Sequence, residues 1–223
     1  PAFVKKYGVG EVVVDQNPLR FTNAWREAVG KVISVRLTEV DAHNIVPVWL
    51  SSPKEEFAAY TFRPKVTRLL SEFLTEFPRL KKHPHEGAWG AGVAVEKLLA
   101  TLTVDRSVPA IDWCVSGETA AMRALTTFID GRLSGYATRR NDPTVEGQSD
   151  LSPYIHFGQL SSQRVALVVA AAKAPKVDRD AYLEELIVRR ELSDNYCFYN
   201  VHYDKVMGAH AWAQATIAKH ADD

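Results

Sequence analysis

Between Gly135 and Pro153 the chain gathers an aromatic, Tyr136, the adjacent arginines Arg139 and Arg140, the amides Asn141 and Gln148, and the hydroxyls of Ser149 and Ser152. Ser152-Pro153 has the pattern of a helix start, a hydroxyl cap followed by a proline at the first helical position. The free N–H groups of that start, the positive end of its dipole and the two serine hydroxyls could hold a diphosphate. A capped helix behind a polar loop uses the same residues and needs no ligand.

A second concentration of charge spans Glu184, Glu185, Arg189, Arg190, Glu191 and Asp194. Glu185 and Arg189 are four apart with the acid first, the order that favours an ion pair on a helix surface. The same stretch carries Leu183, Leu186, Ile187, Tyr196 and Phe198, so part of the charge is drawn toward the interior, as in a site or in a structural ion-pair network. His83 and His85 have no cysteine partner, and His202, His210 and His220 lack ligand spacing, so no metal site is expected. Nucleophile elbow, phosphate-binding loop and dinucleotide glycine fingerprint are all missing, and Gly8-Val9-Gly10 lacks a third glycine. Ordinary hydrolase and dehydrogenase chemistry therefore loses weight.

These residues must be carried by elements that the hydropathy pattern places. Glu11–Asp15 reads as a short strand, Trp25 to Lys31 as helix, and Ile33, Val35 and Leu37 as alternate positions of a strand with one buried face. Ile45 to Trp49 reads as an edge strand because Pro47 removes a ladder donor. From Pro64 an apolar stripe of Val66, Leu69, Leu70, Phe73, Leu74 and Phe77 predicts a helix entered through the proline.

Residues 78 to 115 are rich in proline and glycine, with a helical turn or two over Val95–Leu99, and read as a connector. Beyond it the chain is helix and loop. Ser116 caps a helix burying Met122, Leu125, Phe128, Ile129 and Leu133 and ending toward Gly135. A polar loop runs from Thr138 to Asp150, a helix spans Ser161 to Lys173, and Asp180 caps a long helix from Ala181 to about Tyr199. The expected organisation is a partial α/β part over 1–77, the connector 78–115, and an all-α part over 116–223, mostly helical overall.

The 223 residues, 46% hydrophobic, exclude a disordered chain, and 27 basic against 27 acidic side chains leave any nucleic-acid partner to a local groove. No apolar run is long enough for a bilayer span and the start is no signal peptide, so no membrane role and an intracellular location are expected. Cys114 and Cys197 are expected to be reduced. A two- or three-stranded layer is small for its own core, and the chain reads as a piece of a larger protein.

Five blocks in order resemble class II cyclobutane pyrimidine dimer photolyases. They are Val14-Asp15 to Asn17-Pro18-Leu19-Arg20, the run from Val40-Asp41-Ala42-His43-Asn44 to Trp49, Gly135-Tyr136 with Arg140-Asn141-Asp142-Pro143, Leu151 to Gln159, and Glu184 to Asn200. The resemblance implies an N-terminal α/β domain of Rossmann type, in which an antenna pigment is possible, and a helical domain that binds FAD. It implies a DNA partner containing pyrimidine dimers and light-driven electron transfer from reduced FAD that splits the dimer, by a protein expected to be monomeric.

By resemblance Tyr136, Gln148, Ser149, Leu151 and Ser152 match positions that hold the FAD phosphates and ribityl chain, and Arg189 matches an arginine beside the flavin. Glu185 matches the carboxylic acid that hydrogen-bonds the dimer, a role suited to a buried, neutral acid, and Arg140 and Asn141 match the lesion pocket or its flank. Asp150 is an acid where an uncharged residue is expected, beside the diphosphate position. The competing readings are a cryptochrome-like flavin blue-light receptor, separated by dimer-specific DNA binding, and a non-enzymatic DNA-binding fragment indifferent to damage.

Overall fold

The computed structural model describes residues 1–82, 92, 94–109 and 111–221. His83 and His85, considered above, and Pro84, Gly87 and Gly90 of the connector lie outside the described residues. Helix α1 (Ala2–Tyr7) leads into strand β1 (Glu11–Asp15), helix α2 (Arg20–Val32) and strand β2 (Arg36–Val40). The strands pair in parallel, Glu11 with Arg36 through Asp15 with Val40, and the Gln16 N–H extends the ladder to the Val40 carbonyl at 2.7 Å. Helix α2 crosses between them and lies against β2 at Gly30, where an added Cβ would sit 3.5 Å from Leu37.

The second strand starts at Arg36, later than the alternation from Ile33 suggests, because α2 runs on to Val32 and Ile33 caps it. The expected buried face is not there either: both strands are exposed or half-buried throughout, and Val13 is 61% exposed. Apolar alternation fixes which side chains share a face, but not whether anything covers it.

Residues 45–49 do not form a strand. Pro47 instead precedes a single helical turn, α3 (Val48–Ser51). The reason lies in two carboxylates that take the N–H groups a neighbouring strand would have used. Asp41 accepts from the backbone N–H of His43 (3.1 Å), Asn44 (2.8 Å) and Val48 (2.9 Å), and Glu191 accepts from those of Ile45 (2.6 Å) and Val46 (3.4 Å).

Helix α4 (Ala59–Phe73) begins before Pro64, which lies inside it, and ends before Phe77. Helix α5 (Val95–Thr101) occupies the connector. Helix α6 (Glu118–Gly131) is preceded by Gly117 at φ 105°, so Gly117 and not Ser116 stands at the cap. It ends at Gly131, and Gly135, at φ 88°, opens the short α7 (Tyr136–Arg139) at the start of what the sequence suggests is a loop.

Next come α8 (Ser152–His156) and α9 (Ser162–Ala171), the latter capped as expected by the Ser161 hydroxyl, which accepts from the Arg164 N–H at 3.1 Å. Helix α10 (Lys176–Leu183) starts behind Pro175, so Asp180 lies within it and pairs with Lys176 instead of capping. It continues without a break through a π-helical stretch, Glu184–Arg189, into α11 (Arg190–Tyr199). A 3-10 turn (Val206–Gly208) and α12 (Ala211–Lys219) complete the described residues.

The buried core joins Ile45, Val46, Phe62 and Val66 to the inward faces of α6, α9, α10 and the π-helical stretch. Phe128, fully buried, meets Tyr182 at 4.7 Å and Tyr136 at 5.8 Å between ring centroids, and the two tyrosines meet at 5.2 Å. Such aromatic contacts are worth about 0.5–1.5 kcal/mol each beyond their burial. Segment 41–56 is fastened to α11 by Asn195, which accepts from the Glu56 N–H (2.8 Å) and donates to the Lys54 carbonyl (3.1 Å). Most described elements are helical, around one small parallel sheet, and none of these helices is long and apolar enough to cross a membrane.

Candidate functional site

A cavity of about 470 Å³ opens between two walls. One wall is α7, the following loop and α8, and supplies Tyr136, Arg140, Asn141, Gln148, Ser149, Leu151, Ser152, Ile155 and His156. The other is α10 with its continuation, supplying Tyr182, Glu185, Leu186 and Arg190, and His43 reaches in from the turn after β2. Every site residue nominated by the resemblance lines this space except Arg189; of the other charged residues singled out, Arg190 lines it, and Arg139, Glu184, Glu191 and Asp194 do not.

Local folding places Tyr136. The buried Asp178 side chain in α10 accepts from the Gly135 N–H (2.8 Å) and the Ala137 N–H (2.9 Å), fixing the start of α7. Those two bonds hold the Asp178 carboxyl below its ordinary range. Gly147 lets the loop return over α7, where a Cβ would come within 2.7 Å of the Arg139 carbonyl oxygen. Gln148 donates through its side-chain amide to the Arg140 carbonyl, tying the loop to the end of α7.

The π-helical stretch decides which charges meet. Its hydrogen bonds run from residue i to i+5, so side chains five apart come together in place of those four apart. Arg189 accordingly pairs with Glu184 at 3.4 Å, and Glu184 also takes two bonds from Arg63 at 2.9 and 2.7 Å. The expected Glu185–Arg189 pair does not form. Glu185 faces the cavity and takes a 2.5 Å hydrogen bond from Arg140 Nη1.

Glu185 is therefore salt-bridged and 39% exposed at its side chain, a different setting from the buried, neutral acid expected. Arg140 keeps its buried Nε without a partner beside the cavity. Burial pushes the Tyr182 hydroxyl up to about 12, and burial followed by the Glu185 charge raises that of Tyr136, so both present neutral phenols.

Ser152 is the first residue of a five-residue helix and its hydroxyl makes no capping bond. The capped helix start inferred from Ser152-Pro153 is not formed, and Ser152 is available as a wall hydroxyl instead. His43, Ile155, His156, Tyr182, Leu186 and Arg190 also line the cavity, although the resemblance assigns none of them a site role. Arg190 and Leu186 take their places through the π-helical register, which leaves no mark in apolar spacing. The Arg190 guanidinium is held by the carbonyls of Leu186 (3.0 Å) and His43 (3.1 Å), by the Ser162 hydroxyl (3.1 Å) and beside His43 Nε2 (3.0 Å).

The cavity thus has an apolar strip of Leu151, Ile155, Leu186 and two tyrosine rings, next to serine hydroxyls, an amide and two guanidinium groups. That donor set suits an amphiphilic ligand with an aromatic part and an anionic part.

Residues 1–83 match the family model described as DNA photolyase. Over its whole length the chain is 44% identical to a deoxyribodipyrimidine photo-lyase of Oryza sativa subsp. japonica, covering 47% of that protein. By sequence the chain is similar to deoxyribodipyrimidine photo-lyases along its whole length. Deoxyribodipyrimidine photo-lyases of Potorous tridactylus (42% identity, 43% of that protein covered) and Methanothermobacter thermautotrophicus (33%, 49% covered) also align with the entire chain. The chain spans about half the length of the curated relatives it matches. A solved bacterial class III photolyase from Agrobacterium tumefaciens shares the fold at a TM-score of 0.60 and 19% identity, over 88% of this chain and 42% of that one.

Proposed function

We propose that this chain supplies the cavity in which FAD and a pyrimidine dimer meet in a light-driven, class II-type deoxyribodipyrimidine photo-lyase. The observation that carries the proposal is the convergence of the residues nominated by resemblance, Arg189 apart, on one cavity. The reading divides the chain into a Rossmann-type part over 1–77, the connector 78–115 and a flavin-binding helical part over 116–223. Within the first part, Ile45, Val46, Phe62 and Val66 pack into the helical core, so α3 and α4 join the two parts.

The residues fit FAD by chemistry. Ser149, Ser152, Gln148 and Arg190 offer donors for phosphate and ribityl oxygens, and Tyr136, Leu151, Ile155, Tyr182 and Leu186 exclude water from an aromatic ring system. Bound, reduced FAD supplies a one-electron donor when excited by blue or near-ultraviolet light.

Arg140 and Asn141 face the dimer in this reading, with Arg140 offering N–H groups to its carbonyl oxygens. Glu185 fixes the Arg140 guanidinium and accepts N–H groups of the pyrimidine edges. A fixed guanidinium beside the dimer stabilises negative charge arriving there without reorganising, the usual source of electrostatic rate enhancement. Flipping the dimer out of the duplex costs less than flipping a normal pair, because damage has already weakened its stacking. The test is blue-light-dependent reversal of a thymine dimer in an oligonucleotide, using the protein at its natural length with reduced FAD. Light-dependent reversal that falls on Arg140→Gln or Glu185→Gln is expected, and reversal absent in the unaltered protein would overturn the reading.

A further inference from the structure

Among the described residues Asp150 is the non-glycine residue with a left-handed backbone, at φ 58°. Residues with a Cβ avoid that region, and Asp and Asn are the ones that tolerate it. Asp150 lies between Ser149 and Leu151, which both line the cavity, yet it does not line the cavity itself. Its side chain is turned outward, 58% exposed, and takes a 2.6 Å hydrogen bond from Arg132 Nη1.

Arg132 is well placed to hold it. The residue follows α6, its N–H bonds to the Phe128 carbonyl at 2.8 Å, and its own carbonyl takes a 3.0 Å bond from Arg139 Nη2. The left-handed turn also brings the Leu151 N–H to the Ser149 hydroxyl at 3.4 Å. One ion pair therefore acts on both the shape and the charge of the polar rim formed by Gln148, Ser149 and Ser152.

We propose that Arg132 and Asp150 are a positioning pair for an anionic ligand group at this rim: Arg132 draws the Asp150 carboxylate away from the cavity and holds the turn that presents Ser149 and Ser152. The proposal rests on the cavity being a phosphate-bearing cofactor site, and it assigns a part to an acid that would otherwise repel such a ligand. Without Arg132 the carboxylate is free to swing toward the rim, where a negative charge opposes a phosphate.

The experiment compares wild type, Arg132→Gln, Asp150→Asn and the double variant, with FAD and ADP as probes in equilibrium dialysis and thermal unfolding as a check on folding. Arg132→Gln is expected to weaken both probes roughly fivefold at low salt and less at high salt, the range of a partly exposed charge pair. Asp150→Asn on top of it is expected to restore part of the affinity, because Asn tolerates the left-handed turn and loses the charge, leaving only the loss of the turn's anchor. A pair that merely stabilises the fold predicts the reverse, no restoration by Asp150→Asn. Unchanged affinity in Arg132→Gln, or a double variant as weak as the single one, overturns the proposal. Amide exchange at Leu151 decides the positioning without any ligand, being faster in Arg132→Gln if Arg132 holds the turn and unchanged if it does not. Failure of the wild type to bind either probe counts against the cofactor reading alone, and the exchange result still decides the pair.

Discussion

Arg140 Nη1 stands 2.5 Å from Glu185 Oε1, while Arg189, four residues beyond Glu185, is turned to Glu184 at 3.4 Å. The π-helical stretch thus separates two neighbouring acids into different jobs, one paired with Arg63 of α4 and with Arg189, the other in the cavity wall. Glu184→Gln is expected to leave light-driven dimer reversal unchanged, whereas Glu185→Gln, by releasing Arg140, lowers it. The comparison is read from the reversal of a thymine dimer in an oligonucleotide by the two variants, and equal effects would contradict this division.

The hydroxyls of Ser152 and Ser161 give opposite expectations despite similar local sequences. Ser161→Ala removes a capping bond and should cost about 1 kcal/mol of stability. Ser152→Ala removes none and should fall within about 0.5 kcal/mol of wild type. Urea denaturation of the two variants measures the difference.

Phe128→Ala should be among the most damaging single changes, because the ring is fully buried against both cavity tyrosines. A loss of about 3–5 kcal/mol is expected from the removed ring and the space it leaves. The urea midpoint measures it, and a loss below about 1 kcal/mol would show that the tyrosines collapse into the gap.

Acid should release the Glu56 anchor. Burial alone would raise this carboxyl, but hydrogen bonds from Lys65, Ser52 and Thr61 outweigh burial and hold it at about 2, below its ordinary 4.5. The folded form is the weaker proton binder, so the stabilisation is fully present above pH 4.5 and is lost as pH falls toward 2. Glu56→Gln should flatten that part of the stability profile, followed by denaturation at a series of pH values.

Glu191 has the opposite sign. Burial raises it to about 7 against the pull of Arg190 and the Ile45 and Val46 N–H groups, so the folded state binds the proton more tightly than the unfolded chain. Stability from this group is fully present below pH 4.5 and is lost as pH rises through about 7. Glu191→Gln should remove that decline while retaining an acceptor for the Ile45 N–H, and a decline that persists would assign it to another group.

Much of the helical half was legible because its apolar spacing is regular. The buried face of α6 and the Ser161 cap are examples, and most of the cavity wall lies in the sequence blocks, Gln148, Ser149 and Tyr182 apart. Three features were not legible. The turn at 41–48 depends on Glu191, which is distant along the chain. The Glu184–Arg189 register depends on a π-helical stretch with no signature in hydropathy. The face of the β1–β2 sheet alternates in sequence, yet the described residues bury little of it.

The most direct test of a flavin cavity in this chain is its visible spectrum after incubation with FAD and removal of free flavin. The account predicts stoichiometric flavin absorbance that ADP displaces and that falls in a variant combining Ser149→Ala with Arg190→Gln. A folded chain that retains no flavin, or one whose retained flavin is indifferent to ADP and to those substitutions, would contradict it.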